Sequence, residues 1–318
     1  MASKQAILDN IRNHYQALRE AESAAKTYHQ RYLEEINTTC ERETAAARAE
    51  QERLKAEAEA TFRQQIDQAR TDVTTATTNL GLIAASWDSP QWDSYGPALR
   101  GRGGGSAHGV PGGIRAGALR VSNVDIGHVP ALFPLTGQGH LFIVSRGAAK
   151  AKSLDLLQSI VTRAAVTFPP LSARFVFIDP LGLGSNFPFK RLPEAIRGDT
   201  VYSEPDEIRA QMREMTEHLR RVQIKYLARE YETIERYNED AEEVVEPYRF
   251  LCIADFPSKF DTDAVTRLLS IAEKGVPTGV YLLVHVNADV AMPRDFTLDA
   301  LLRTGTVINA VDNGFMLP

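Results

Sequence analysis

The first 80 residues contain neither glycine nor proline, and this absence favours helical structure over all of them. Inside a helix, glycine costs about 1 kcal/mol and proline about 3 kcal/mol relative to alanine. Alanine, glutamate, glutamine, arginine and lysine dominate between Met1 and Leu80, and each of them is a good helix former. The sequence therefore predicts a long helical segment before any other structure begins.

Apolar residues in this segment recur mostly at intervals of three, four and seven, which places them on one face of a helix. We predict a coiled coil or a helical hairpin that is used for self-association. The alternative is a charged helix that packs on the rest of the chain. Bends are expected at Asn37–Thr39 and in the threonine run Thr71–Thr78. The central part of the apolar stripe consists of Leu33, Ile36, Cys40, Ala47 and Leu54.

Composition excludes several classes of protein. The two cysteines, Cys40 and Cys252, are too few for a disulfide scaffold or a cysteine-rich zinc site. The longest apolar runs, such as Val280–Val286, are far shorter than the roughly 18–20 residues of a membrane span. Met1–Asn10 lacks the apolar core of a secretory signal. A net charge of −5 argues against binding of polyanions by the whole chain. Because the chain also lacks a long apolar run and a secretory signal, we predict a cytoplasmic protein without a membrane span.

The chain divides into a helical region (1–85), a linker rich in glycine, proline and serine (86–117) and a third region (118–318). Arg100, Arg102 and Arg115 stand among the glycines of the linker. They are explained by a flexible, soluble linker, and an RGG-type contact with nucleic acid is the alternative.

The third region alternates apolar strands with amphipathic helices, which predicts an α/β domain with a mostly parallel sheet covered on both faces. In such sheets, ligands bind beyond the carboxyl ends of the strands. The predicted strands are Ala118–Val121, His140–Val144, Arg174–Ile178, Phe250–Ala254, Val280–Val286 and Thr306–Ala310. The predicted helices are Ser153–Val166, Asp206–Arg229, Tyr231–Asn238 and Asp263–Glu273.

A turn of small residues follows the strand His140–Val144 and ends in Lys152 and Ser153 at the start of a helix. A strand, a turn ending in Lys-Ser and a helix form the context of a phosphate-binding P-loop. There, backbone N–H groups and the lysine hold phosphates, and the hydroxyl reaches Mg²⁺. Gly147, Lys152 and Ser153 are the predicted nucleotide-binding residues. Arg146 and Ala151 replace the two glycines of the motif, so a basic helix start without a ligand is the alternative.

The strand Phe250–Ala254 ends in Asp255, as in a Walker B motif, whose carboxylate helps to hold Mg²⁺. Asp255 is the predicted metal ligand, with a turn-forming aspartate as the alternative. The glutamate expected next, as base for the attacking water, is Phe256. After the strand Val280–Val286, Asn287 or His285 is the nearest polar candidate for a sensor of the nucleotide.

Four segments follow one another in the third region. They are Phe175–Pro180 with Phe189–Pro193, the helix bearing Glu214-Met215 and leading to Ile234–Asn238, the Asp255 strand, and Arg267–Gly275 with Gly279–Leu283. In this order they resemble the motor core of the FtsK/SpoIIIE branch of the HerA–FtsK P-loop ATPases, and the resemblance covers roughly Gly117 to Pro318.

The resemblance implies a RecA-like fold, a ring of usually six subunits, and ATP-driven movement along double-stranded DNA. It also implies ATP and Mg²⁺ as ligands, with Lys152, Ser153 and Asp255 at the family's phosphate and metal positions. Because Ala151, Arg146 and Phe256 depart from the pattern, weak binding and slow hydrolysis are expected. We therefore predict a pseudo-ATPase module that assembles with itself, as a ring or dimer, or with an FtsK-like motor that is either a separate chain or a missing C-terminal domain. An active DNA translocase and a structural adaptor without nucleotide are the alternatives.

Overall fold

The chain forms two compact units, Met1–Ala69 and Arg70–Pro318. The centre of the predicted linker, with Arg100 and Arg102, lies outside the described residues. The computed structural model describes residues 4–93, 110–121, 124–169, 171–189, 192–198, 200–228, 230–241, 245–294 and 296–317.

The N-terminal segment is one continuous helix, α1, which spans Lys4–Leu80. The predicted long helix is thus confirmed, without the turn of a hairpin and without breaks at the expected bends. Threonine hydroxyls along α1 donate to carbonyl oxygens one turn earlier, for example from Thr38 to Glu34 and from Thr74 to Arg70. These bonds satisfy the hydroxyls within the helix, so the threonines do not break it. No residue of α1 is buried.

Short 3₁₀ turns at Gly81–Ile83 and Pro90–Trp92 follow α1. Trp87 and Trp92 stack around the guanidinium of Arg163, whose Cζ lies 4.2 and 5.3 Å from the two ring centroids. The two tryptophans therefore cover the surface of the α/β domain around Arg163. Arg163 also donates to the carbonyl of Ala85 at 2.8 Å, which fastens this segment to the α/β domain.

The α/β domain contains an antiparallel hairpin and a seven-stranded sheet of order β5-β4-β6-β7-β3-β8-β9. All neighbours in the sheet are parallel except β8 and β9. The hairpin consists of β1 (Gly113–Val121) and β2 (Val124–Pro134). The sheet strands are β3 (His140–Ser145), β4 (Ala173–Ile178), β5 (Val201–Tyr202), β6 (Tyr248–Phe256), β7 (Val280–Asn287), β8 (Gly305–Val311) and β9 (Gly314–Met316).

Helices cover both faces of the sheet, because alternate residues of each buried strand point to opposite sides. Leu141 and Ile143 of β3 share one core with the helix that follows this strand, whereas Phe142 belongs to the second core. The predicted α/β architecture with a mostly parallel sheet is confirmed. The helices are α2 (Ala149–Thr167), α3 (Glu194–Arg197), α4 (Pro205–Val222), α5 (Ile234–Asp240), α6 (Thr262–Lys274) and α7 (Leu298–Leu302).

The helix α4 continues as a π-helical turn, Gln223–Leu227, and a 3₁₀ turn at Val276–Thr278 follows α6. Across the described residues, no helix combines the length and the apolar character that crossing a membrane requires.

Candidate functional site

Three of the segments predicted to carry chemistry meet at the carboxyl edge of the sheet. The strand β7 lies between β3 and β6. In the register of the sheet, Ser145 at the end of β3 is opposite Asn287, and Phe256 at the end of β6 is opposite Val286. The turn after β3, the Asp255 carboxylate and Asn287 are therefore close neighbours, as the parallel sheet predicts.

The turn after β3 is shorter than a P-loop, because α2 already begins at Ala149. Only Arg146, Gly147 and Ala148 connect the strand to the helix, and Gly147 has a left-handed φ of 52°. Lys152 is the fourth residue of α2, and its Nζ donates to the carbonyl of Asp312 at 2.8 Å. Because the helix begins at Ala149, the residues from 149 to 152 are helical and are not part of a loop that could wrap around a phosphate.

Ser153, the predicted hydroxyl ligand, is fully buried in α2. Its Oγ donates to the carbonyl oxygen of Ala149 at 2.9 Å. This bond lies within the helix and uses the hydroxyl proton, so the side chain has a local structural partner.

Lys150 is the lysine that contacts the Asp255 carboxylate, at 2.8 Å between Nζ and Oδ1. Asp255 is 1% exposed, while the Lys150 side chain is 35% exposed. Neither carboxylate oxygen has a hydrogen-bond partner within the described part of the chain, so the contact with Lys150 is that of an ion pair. From the sequence, Lys150 and Arg146 are candidates only for a solvated basic edge, as an alternative to a phosphate-binding loop. The helical start at Ala149, which brings Lys150 into the first turn of α2, was the missing information.

Phe256 is part of the hydrophobic core on one face of the sheet. Its ring centroid lies 5.1 Å from that of Phe260 and 5.9 Å from that of Phe296, and the residue is fully buried. The position of the expected glutamate therefore holds an aromatic side chain that packs away from solvent.

His285 connects the two strand ends through its ring nitrogens. The N–H of Asp255 donates to Nδ1 at 3.1 Å, so the proton of the neutral ring is on Nε2, which lies 2.8 Å from Ser145 Oγ. Burial lowers the pKa of His285 to about 4, and the positive charge of Lys150 acts in the same direction against the attraction of Asp255. The ring is therefore neutral at pH 7.

Ser145, His285 and Asp255 are the residue types of a hydrolytic triad, but their arrangement is a different one. In a triad, Nδ1–H donates to the carboxylate and the serine faces a substrate. Here, Nδ1 accepts the Asp255 N–H, and all three residues are buried. The network joins β3, β6 and β7 and has a structural role.

The loop after β7 supplies a carboxylate to the turn after β3. Asn287 Oδ1 accepts the N–H of Asp289 at 3.1 Å, which folds the start of this loop. Asp289 Oδ2 in turn accepts the N–H of Gly147 at 2.6 Å. An acidic side chain of the same chain thus binds a backbone donor of the turn that was predicted to hold phosphate.

A surface cavity of about 290 Å³ lies beside this turn. It is lined by the end of β3, the first residues of α2 and the end of β8, including Arg146, Ala149, Asn309 and Asp312. Its walls are therefore formed by the strand ends at which the sheet topology predicts a ligand.

Asp179, at the end of β4, has a role that the sequence did not reveal. Its buried carboxylate accepts hydrogen bonds from the backbone N–H groups of Gly182, Gly184 and Asn186 and from the Asn186 amide, at 2.9–3.1 Å. The Asp179-Pro180 sequence and the glycines that follow it predict a loop, but they do not show that the carboxylate organises it.

Solved structures with a similar fold belong to ATPases. EssC (ATPases 2 and 3) from Geobacillus thermodenitrificans is 16% identical with a TM-score of 0.51, over 66% of this chain and 38% of that chain. The cytoplasmic domain of the type VII secretion ATPase EccC from Thermomonospora curvata is 17% identical with a TM-score of 0.47, over 67% and 25%. The pCW3 conjugation coupling protein TcpA with ATPγS is 14% identical with a TM-score of 0.44, over 69% of each chain.

The similarity to EssC confirms an FtsK/SpoIIIE-type P-loop ATPase fold, as predicted from the sequence. This chain spans 38% of the length of that EssC chain, so it corresponds to part of it. No family model and no curated protein match the sequence. At such low identity the similarity establishes the fold, and function has to be argued from the site.

Proposed function

We propose that the α/β domain is a pseudo-ATPase module of a DNA-translocase-type assembly. In this proposal the FtsK/SpoIIIE-type fold is kept as a structural part that packs against intact motor subunits. ATP binds weakly at the turn after β3 and is not turned over. In this proposal double-stranded DNA is bound by the whole assembly, and the turn after β3 does not bind DNA by itself.

The burial of Phe256 carries this proposal. Hydrolysis of ATP needs a side chain that positions or deprotonates the attacking water. Phe256 stands where the family pattern has that glutamate, and it packs between Phe260 and Phe296 in the core. Two carboxylates that reach the turn, Asp255 and Asp289, already have contacts with Lys150 and with the Gly147 N–H. Neither of these two side chains is therefore free to act as the base.

We expect the purified chain to turn over ATP at less than about 0.01 s⁻¹ in Mg²⁺, with or without linear double-stranded DNA, whereas ordinary enzymes reach about 1–1000 s⁻¹. The measurement is phosphate release at saturating ATP. Asp255→Asn is the matched control, because any residual signal that it retains comes from a contaminant. DNA-stimulated turnover that Asp255→Asn and Lys152→Ala abolish would instead support an active translocase.

The exposed apolar stripe of α1 supports self-association as a second part of the proposal. Leu33, Ile36 and Leu54 are 45%, 45% and 52% exposed in the single chain. Together with Cys40 and Ala47 they follow the spacing of a coiled-coil seam. We propose that two copies of α1 pair in parallel and in register.

A parallel pair brings Cys40 of each copy face to face, within the Cα separation of about 4.4–6.8 Å that a disulfide needs. We expect mild oxidation to link most of the chain into a covalent dimer, seen on a non-reducing gel. Cys252 is buried and does not compete.

The control for this cross-link carries Cys40→Ser with Ala45→Cys, which moves the thiol to the far side of α1. It should remain uncrosslinked under the same conditions. A monomer in light scattering, with no cross-link through Cys40, would contradict the pairing.

A structural adaptor that binds no nucleotide is the second candidate, and the contact between Gly147 and Asp289 favours it. A phosphate at this turn has to displace the Asp289 carboxylate from the Gly147 N–H. Calorimetry with ATP and Mg²⁺ separates the candidates. Micromolar to millimolar binding that Asp289→Ala strengthens supports the pseudo-ATPase module, whereas no binding by either protein supports the adaptor.

A further inference from the structure

Asp255 stands where a Walker B motif has the carboxylate that helps to hold Mg²⁺, and in this chain that carboxylate contacts the ammonium of Lys150. Asp255 is the penultimate residue of β6 and has a left-handed φ of 56°, and its N–H donates to Nδ1 of His285 at 3.1 Å. Its side chain is 1% exposed, and the Lys150 ammonium lies 2.8 Å from Oδ1. A buried carboxylate requires a cation or several donors to be tolerated.

The residues present do not fit Mg²⁺. Magnesium demands near-octahedral oxygen ligands at about 2.0–2.1 Å. Asp255 Oδ1 is already paired with an ammonium group, and the hydroxyl of Ser153 donates its proton to the carbonyl of Ala149. Within the described residues no group of three or more histidine, cysteine or acidic side chains is arranged to hold a metal. A Mg²⁺ ion at Asp255 would meet the positive charge of Lys150 at close range.

We propose that Lys150 is a built-in replacement for Mg²⁺, which neutralises Asp255 and makes the site independent of divalent cations. The inference rests on the proposed pseudo-ATPase function and goes further, because it assigns the neutralisation of Asp255 to one side chain of the same chain. The position of Lys150 follows from the early start of α2 at Ala149, which places it in the first helical turn above the strand ends. The lysine predicted for phosphate, Lys152, instead contacts the carbonyl of Asp312.

This assignment gives Lys150 a different role from that of a P-loop lysine. The P-loop lysine holds a phosphate, and a separate metal ion is held by the carboxylate. Here the Lys150 ammonium pairs with the Asp255 carboxylate, and the Asp289 carboxylate accepts the N–H of Gly147. Lys150 thus supplies the positive charge, and Asp289 the negative charge, that a bound magnesium nucleotide would bring to these two groups.

The test is thermal unfolding of the full chain with and without 10 mM MgCl₂, followed by tryptophan fluorescence. The wild-type Tm should shift by less than about 1 °C. Lys150→Ala leaves Asp255 buried without its cation, so its Tm should fall on the order of 10 °C. Mg²⁺ should then restore roughly 3 °C or more, because the ammonium that repels the ion from Asp255 is gone and water can fill the remaining positions of its octahedral shell.

Two further variants keep the result decisive. Lys152→Ala is the matched control, since it removes a neighbouring lysine whose ammonium contacts a backbone carbonyl, and it should show a small loss of Tm and no response to Mg²⁺. The double variant Lys150→Met/Asp255→Asn removes both charges and should regain most of the lost Tm without a Mg²⁺ response. It remains readable if Lys150→Ala fails to fold.

A wild-type Tm that rises with MgCl₂ alone, or a Lys150→Ala variant as stable as Lys152→Ala, would overturn the assignment of Lys150. A double variant that stays as unstable as Lys150→Ala would do the same. The proposed function fails on a different observation, steady ATP turnover. A chain that binds Mg²⁺ without hydrolysing ATP would remain a pseudo-ATPase and would refute this inference alone.

Discussion

Acidification from pH 7 to pH 4.5 is expected to lower the free energy of unfolding of the α/β domain by about 5 kcal/mol through His140 and His218. Burial lowers the pKa of His140 to about 4 and that of His218 to about 3. An unfolded histidine has a pKa near 6.5. The folded histidines therefore bind protons more weakly than the unfolded ones. The stability they provide is complete above about pH 6.5 and is lost as the pH falls towards 4.

His140 is locked as a neutral ring between three elements of the domain. The N–H of Leu282 donates to Nδ1 at 3.0 Å, so Nε2 carries the proton and donates to the carbonyl of Ala272 at 2.8 Å. If Nδ1 were protonated, its N–H would point at the N–H of Leu282 without an acceptor between them, and the charged ring would be fully buried. The cost of that charged form is the physical cause of the lowered pKa.

His218 is neutral for a second reason in addition to burial. Arg249, Arg221 and Arg174 surround it, and their positive charges add to the effect of burial on its pKa. Glu246 is the nearest acidic group, with Oε1 3.9 Å from Nε2. At this distance the carboxylate does not offset the three arginines.

The measurement is urea unfolding between pH 7 and pH 4.5, followed by the fluorescence of Trp87 and Trp92, which report on the α/β domain because they stack on Arg163. Far-ultraviolet circular dichroism is less suitable, since α1 dominates the helical signal. His218→Gln should reduce the pH dependence by about 2–3 kcal/mol over this range. His14→Gln, on the exposed face of α1, is the control. A stability that is flat from pH 6.5 to 4.5 would contradict both lowered pKa values.

The fold could be predicted from the sequence because its buried strands and helices carry strong periodic patterns. Each of the five predicted strands of the main sheet, such as Val280–Val286, lies within an observed one. The strands that prediction missed have weak patterns for physical reasons. The strands β5 and β9 have two and three residues, too few for a period to be visible. The strand β2 contains two prolines, which argue against a strand unless it lies at an edge.

The site was predicted only in part, because it depends on where α2 begins. The spacing of the P-loop motif points to Lys152 as the phosphate-binding lysine, and the residues before it are small enough for a phosphate-binding loop. Ala149 and Ala151 are also good helix formers, and α2 extends back to Ala149. A shift of two residues along a helix turns a side chain by about 200°, so Lys150 and Lys152 face different neighbours. The partners of Lys150 and Gly147 come from β6 and the loop after β7, which local spacing does not reveal.

Asp179→Ala is expected to lower the free energy of unfolding by about 3–5 kcal/mol, although Asp179 is outside the candidate site. The carboxylate accepts four hydrogen bonds from the loop that follows β4. Alanine would leave these donors without their acceptor in a place where water is largely excluded. The loop also carries Phe187, whose ring packs on that of Phe177 with centroids 5.0 Å apart. If the loop loses its fixed conformation, this aromatic contact is weakened as well.

Asn186→Ala is the matched control for this effect. It removes one of the four donors, the Asn186 amide, and leaves the three backbone N–H groups bound to Asp179. Its cost should be about 1 kcal/mol, the usual value of a single hydrogen bond. The measurement is urea unfolding at pH 7, with hydrogen exchange of the amides of Gly182 and Gly184 as a local probe. In Asp179→Ala these amides should exchange faster than in the wild type by a larger factor than the domain as a whole. Equal destabilisation by the two variants would show that the backbone bonds contribute little, and that the carboxylate holds this loop through the Asn186 side chain alone.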